Sequence, residues 1–311
     1  MDFLSIQNLN AVYPTDKGPV RAVQDVSFSI SPGESVGIVG ESACGKSTLG
    51  LSIIRTIPGG KIESGTIALE GKSILGLSEQ EFDSQYRWKQ IAMIFQGAMN
   101  SLDPVYTISQ QFSDVLKTHH HTQNPHGLMK SLLGQVGLDE SILSKYPHEL
   151  SGGMKQRVII AMALLLKPKL VIADEPTTAL DVLVQAQILN LFKSLKKQGV
   201  SFVVISHDLA AISEVCEKIG IMYAGQMVEF GTAQQILQNP KHPYTQALIK
   251  SIPRLHDESK PQYIPGAPPS LLNPIPGCRF ASRCPHVMEK CKQDPSKTKT
   301  QTGYVACWLY E

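Results

Sequence analysis

The sequence predicts an α/β protein, one substantial domain built around buried strands and followed by a short C-terminal appendage. Three observations carry this. A glycine-rich loop, Gly40-Glu41-Ser42-Ala43-Cys44-Gly45-Lys46-Ser47-Thr48, sits between an apolar run at residues 35–39 and a helix-like run at residues 49–54. Two more apolar runs end abruptly in polar residues, Leu170-Val171-Ile172-Ala173 in Asp174-Glu175 and Val203-Val204-Ile205 in Ser206-His207. Strands of a buried parallel sheet read this way where they meet a ligand crevice. Beyond residue 250 the composition changes, with six prolines in residues 261–276 and then Cys278, Cys284, Cys291 and Cys307.

Residues 3–12 and 20–30 read as strands separated by the polar turn Pro14-Thr15-Asp16-Lys17-Gly18-Pro19. Tyr13 lies at the edge of that turn. Its ring has the flat apolar face that stacks on a nucleobase, and a tyrosine packed at a strand end reads identically. The loop that follows fits G-x-x-x-x-G-K-S/T with a strand before it and a helix after it. Glycines there let backbone N–H groups turn inward around phosphate oxygens, and the helix N-terminus adds partial positive charge. Gly40, Ser42, Cys44, Gly45, Lys46, Ser47 and Thr48 are the candidate contacts, Lys46 toward the β- and γ-phosphates and the Ser47 hydroxyl toward Mg²⁺. Ala43 stands where many such loops have glycine, so its φ is expected to be negative or mildly strained. Residues 65–69 and 91–95 read as further strands, the second leading to Gln96, a candidate contact to Mg²⁺ or to the attacking water.

From residue 101 to 166 the pattern turns helical with polar loops, including His119-His120-His121, which reads as a solvated run. Ser151-Gly152-Gly153 opens an apolar helix that Pro168 forbids from continuing. The serine is a good cap, and a helix N-terminus beside two glycines is a second candidate anion site. Asp174 can hold Mg²⁺ through water, and Glu175 is placed to polarise a water in line with a γ-phosphate. After Ala179-Leu180, Asp181 caps a helix read over residues 183–198. His207, at a strand tip, is a candidate γ-phosphate contact.

The chain has 311 residues, 42% hydrophobic content and a formal net charge of +2, with acids and bases intermingled. That excludes a disordered or fibrous class and gives no global field for nucleic acid or anionic lipid. The first residues lack the basic and apolar pattern of a secretory signal, and the longest apolar run, residues 158–166, is far shorter than the ~20 residues of a membrane span. A cytosolic protein is expected.

The glycine loop, Gln96, residues 150–157, residues 170–175, residues 179–181 and His207 occur in an order that resembles the nucleotide-binding subunit of ATP-binding-cassette (ABC) transporters. The resemblance implies a RecA-like P-loop core with a β subdomain and a helical insertion at about residues 97–166, the cassette spanning residues 1–250 and the Cys-rich extension residues 251–311. It implies an ATPase whose catalytic residues are Glu175, His207, Gln96 and Lys46, with Mg²⁺ held by Ser47, Gln96 and Asp174. Two such subunits then pair head to tail, so that Ser151, Gly152 and Gly153 of one close on the ATP of the other. By the same resemblance Tyr13 stacks on adenine, Asp181 communicates across the dimer, and the segment after Gln96 meets membrane subunits.

Gln96-Gly97-Ala98-Met99-Asn100-Ser101-Leu102-Asp103-Pro104 and His242-Pro243-Tyr244-Thr245 are similar to the dipeptide/oligopeptide importer branch. This implies peptide uptake, two transmembrane permeases, an extracytoplasmic substrate-binding protein, a different ATPase as the paired subunit, and a peripheral place on the cytoplasmic face of the inner membrane. Nickel importers share the branch and remain an alternative, as does a non-transport ABC ATPase.

The prolines of residues 261–276 favour an extended connector. Five, six and fifteen residues separate the four cysteines after it. A short tail of this kind builds no core without a staple, which suits a four-thiolate site. The spacing alone leaves zinc and iron open. Cys278-Arg279-Phe280 with Arg283-Cys284-Pro285 is similar to the C-terminal extension of peptide-importer ATPases, and that resemblance implies a 4Fe-4S cluster. Cys44 and Cys216 read as ordinary small residues.

Overall fold

The structure is a computed structural model that describes residues 2–120, 124–178, 180–251, 263–274 and 276–311. His121, Ala179 and Pro261 lie outside the described residues. In chain order the elements are β1 (Leu4–Tyr13), β2 (Val20–Ile30), β3 (Val36–Val39), α1 (Lys46–Ile53), β4 (Lys61–Leu69), β5 (Lys72–Ser73), α2 (Glu79–Gln85), β6 (Ile91–Ile94), α3 (Ile108–Thr118), α4 (Pro125–Gln135) and α5 (Gly152–Ala163). They continue with β7 (Leu170–Asp174), α6 (Val182–Lys197), β8 (Ser201–Ser206), α7 (Leu209–Ser213), β9 (Lys218–Tyr223), β10 (Gln226–Thr232), α8 (Ala233–Gln238), α9 (Pro243–Lys250), β11 (Lys297–Lys299) and β12 (Tyr304–Ala306). Two compact units result, Met1–Leu75 with Ile205–Glu311, and Gly76–Val204.

The first unit holds an antiparallel sheet in the order β2-β1-β4-β5. β4 begins at Lys61, earlier than its apolar residues suggest, because exposed polar residues there still pair with β1. A second set of strands runs β11-β12-β10-β9-β3, with β3 parallel to β9 and the other pairs antiparallel. β3 is buried along its whole length, as its unbroken apolar sequence requires. Gly37 in β3 is fixed by close packing, since a Cβ there would lie 2.0 Å from the Ile212 side chain of α7. The C-terminal residues dock on the first unit's strands: β12 pairs with β10 through Glu229↔Val305 and Phe230↔Tyr304. The Tyr304 hydroxyl donates to Ser27 O at 2.8 Å, and Lys297 pairs with Asp25 at 2.7 Å.

The second unit has β6 parallel to the fully buried β7, with helices α2 to α6. α3 starts on a capping box, Thr107 with Gln110, and buries Ile108, Phe112 and Leu116, spaced by four residues so that they fall on one face. α5 ends at Ala163; Leu164 to Leu166 make turns ahead of Pro168 in place of the continued helix the apolar run suggested. Within the histidine run, His119 closes α3 and packs its ring against Trp88 at 6.1 Å, so it is only partly solvated. Among the described residues no helix is long and apolar enough to cross a membrane.

Candidate functional site: the phosphate loop and its companions

Within the first unit, β3 delivers the chain into the glycine loop and α1 leaves it at Lys46. Two glycines are dictated by close approach. A Cβ at Gly40 would stand 2.1 Å from Met222 O, and at Gly45, where φ is +101°, 1.9 Å from Ala22 O. Ala43 takes φ 59°, the left-handed region, so the loop adopts the strained of the two expected conformations. Lys46 is only 8% exposed and donates through Nζ to Gly40 O at 2.7 Å and Glu41 O at 2.9 Å, which holds its ammonium inside the loop. Ser47 is half-buried and Thr48 buried, while Ser42 is exposed on the outer side of the loop. Cys44 is buried, and burial pushes its thiol up; it packs as a small residue with Sγ 3.8 Å from Lys46 Nζ. Tyr13, at the end of β1, brings its hydroxyl to 3.2 Å from Thr48 Oγ1, so its ring stands beside the first turn of α1. His207 follows β8 and is exposed.

Within the second unit, Gln96 is exposed two residues past β6. Asp174 is the last residue of β7 and 3% exposed. Glu175, immediately after, has φ 50° ahead of Pro176, and its Oε2 accepts from the Thr178 hydroxyl at 2.8 Å. A non-glycine residue in that region stores strain of the kind found at functional positions. Ser151 caps α5, its hydroxyl accepting from Met154 N–H at 3.3 Å. Asp181 caps α6 in the same manner, accepting from Val184 N–H at 2.9 Å. These two caps are neighbours: a Cβ on Gly153 would come within 2.8 Å of Val184 Cγ1, and one on Gly152 would meet Met99 and Leu180. The sequence-predicted residues thus gather in two sets, Tyr13 with the loop in one unit, and Ser151 to Gly153 with Asp181 in the other.

The four tail cysteines carry no disulfide. Cys278 N–H donates to Cys291 O at 2.9 Å, and Cys284 Sγ accepts from His286 N–H at 3.4 Å. The Cys278 thiol is pushed up to about 11, chiefly by burial. Among the described residues, no group of three or more His, Cys, Asp or Glu side chains is arranged to hold a metal ion.

Sequence reasoning gave no role to Glu41, Tyr223, Tyr244 and Arg283. Arg283 forms a two-pronged ion pair with the Glu41 carboxylate at 2.8 and 3.0 Å, and the Tyr244 hydroxyl accepts from Glu41 N–H at 3.0 Å.

A strand, a glycine loop closed to side chains and a lysine-headed helix define a P-loop nucleotide-binding protein. Residues 23–178 match the family model described as ABC transporter, and residues 228–291 match that described as Oligopeptide/dipeptide transporter, C-terminal region. The chain is 45% identical over 318 residues to the oligopeptide transport ATP-binding protein AppD of Bacillus subtilis, covering 99% of this chain and 97% of AppD. It is 43% identical to the dipeptide transport ATP-binding protein DppD of Caldanaerobacter subterraneus, over 99% of this chain and 97% of that one. Its fold is similar to the dimeric bacterial ABC transporter cassette MJ0796, with a TM-score of 0.66 at 27% identity over 74% of this chain and 98% of that structure. The chain belongs to the ABC transporter ATP-binding family, and it is an ATPase of that family.

Proposed function

We propose that this chain is the ATP-hydrolysing subunit of an importer for dipeptides and oligopeptides. The observation that carries the reading is the phosphate loop, whose Gly40 and Gly45 admit no Cβ and whose Lys46 is fixed within it. Peptide is favoured over nickel as cargo by the match of residues 228–291 to a peptide-transporter region and by the peptide relatives.

Residue roles follow the resemblance to ABC ATP-binding subunits, and each side chain's chemistry suits its role. Lys46 and the loop N–H groups bind phosphate oxygens, with the side chains or backbone of Ser42, Cys44 and Thr48 alongside. Tyr13 offers its face to adenine. Ser47, Gln96 and the buried Asp174 supply the oxygen donors that suit Mg²⁺, which neutralises phosphate charge when bound. Glu175 accepts a proton from the attacking water, oriented by its bond from Thr178, and His207 contacts the γ-phosphate. Ser151, Gly152 and Gly153 face the nucleotide of a second ATPase subunit, a related but different chain, and Asp181 relays between the two. Residues 1–250 form the cassette and residues 251–311 its extension. The assembly sits on the cytoplasmic face of the inner membrane with two permeases, fed by an extracytoplasmic binding protein.

The four cysteines of the extension, Cys278, Cys284, Cys291 and Cys307, and the family resemblance of their surroundings support a 4Fe-4S site, with zinc as the other thiolate-loving occupant. The functional reading is tested by co-expressing the chain with the two permeases and the paired ATPase of a peptide importer. Peptide-stimulated ATP hydrolysis by the co-purified complex is expected, and an ATPase that never associates with membrane subunits would contradict it.

A further inference from the structure

Glu41, the residue after Gly40 in the phosphate loop, is held through all three of its polar groups. Its N–H donates to the Tyr244 hydroxyl at 3.0 Å, its carbonyl accepts from Lys46 Nζ at 2.9 Å, and its carboxylate takes the Arg283 fork at 2.8 and 3.0 Å. Arg283 has its other bonds in place as well: Nη1 to the Tyr223 hydroxyl at 3.1 Å, Nη2 to Ile264 O at 3.2 Å and Nε to Pro265 O at 2.8 Å. The pair is sheltered, with the Arg283 side chain 5% exposed and that of Glu41 24%. Such a bidentate bond fixes orientation as well as distance. Arg279, four residues earlier, anchors the same segment by donating to Ala224 O and Gln24 Oε1. The adjoining Gly225 N–H bonds Cys44 O in the loop at 2.9 Å.

We propose that Arg283 is a positioning residue for nucleotide, fixing Glu41 so that the phosphate loop and Lys46 are already set for phosphate before ATP arrives. This inference rests on the nucleotide-site reading above. A loop ordered in advance spends less binding free energy on ordering itself, so its effect is read as affinity. A plain staple between the C-terminal segment and the rest of the unit would instead affect melting alone.

The test uses the full chain with a fluorescent ATP analogue and thermal melting, on Arg283→Ala, Arg283→Lys, Glu41→Gln and the double variant Arg283→Ala/Glu41→Gln. Each of Arg283→Ala and Glu41→Gln is expected to weaken analogue binding about tenfold, Arg283→Lys by about threefold because the charge stays and the fork is lost. The double variant is expected to be no worse than the worse single, as for two ends of one interaction. The loss should fall on KM for ATP rather than on kcat. Unchanged affinity in folded variants, or losses that simply add, overturns the proposal. If Arg283→Ala does not fold, Arg283→Lys, Glu41→Gln and the double variant Arg283→Lys/Glu41→Gln decide it by the same two criteria. Lys46→Ala separates the two levels: if it still binds the analogue, the nucleotide-site reading fails; if it does not and the Arg283 variants bind like the parent, only this inference fails.

Discussion

The buried carboxylate of Glu229 accepts from the backbone N–H of His242, through Oε2 at 2.9 Å. The His242 Nδ1 in turn accepts from Tyr244 N–H at 3.0 Å. Tyr244 ends this run at the phosphate loop through its bond with Glu41. Burial lowers the His242 pKa from 6.5 to about 3, so the folded chain keeps that ring neutral. Below pH 6.5 the unfolded ring takes a proton that the folded one refuses, and stability therefore falls as pH drops from 6.5 toward 3, by at most about 1.4 kcal/mol per pH unit. Glu229 acts with the opposite sign. Burial raises its pKa from 4.5, so its contribution is present at low pH and is lost as pH rises through the folded value. His242→Asn keeps an acceptor for Tyr244 N–H and removes the first effect alone. Urea unfolding at several pH values should show a shallower acid decline for the variant than for the parent; equal slopes would contradict this account.

Ala43, at φ 59°, adopts a conformation that costs alanine about 1–2 kcal/mol. Ala43→Gly relieves it while loosening the unfolded chain, for a net gain of up to about 1 kcal/mol. The variant should melt slightly higher and still bind ATP. Gly45→Ala is the contrast, since its Cβ would meet Ala22 O at 1.9 Å at φ +101°. A loss of about 2–4 kcal/mol in stability or in binding is expected from that clash. Calorimetry and nucleotide titration of the two variants check both statements.

The Tyr13 hydroxyl touches Thr48, and the ring is the part assigned to adenine. Tyr13→Phe keeps the face and should bind ATP within about twofold of the parent, whereas Tyr13→Ala should lose about 1–2 kcal/mol, or roughly five- to thirtyfold in Kd. Equal affinities for the two variants would remove Tyr13 from the site.

Anaerobically purified chain should carry about four iron and four sulfide per chain, and Cys278→Ser should lower both. About one zinc with no iron would replace the cluster by the other thiolate occupant.

The parts of the protein legible in its sequence are those whose signal is contiguous. β3 with its loop, β7 ending in Asp174, and the Ser151 and Asp181 caps all declare themselves within a dozen residues, because burial period and capping chemistry are local. Arg283 and Glu41 lie 242 residues apart, and neither an arginine before a cysteine nor an acid in a glycine loop announces its partner. The early start of β4 at Lys61 is silent for a related reason, since exposed polar residues are held there by the β1 ladder and not by apolar contact. The docking of residues 304–306 on β10 is equally hidden, three residues being too few to show a period.

The central claim is that two ATPase subunits enclose nucleotide and that Glu175, held by Thr178, drives its hydrolysis. The most direct measurement is made on Glu175→Gln with Mg²⁺ and ATP, following phosphate release together with the mass of the assembly in solution, alone and with its paired subunit. ATP should stay bound, an assembly with two ATPase subunits should persist, and turnover should fall by at least about a hundredfold. Hydrolysis at the parent rate, or an ATP-loaded chain that never pairs, would contradict the account.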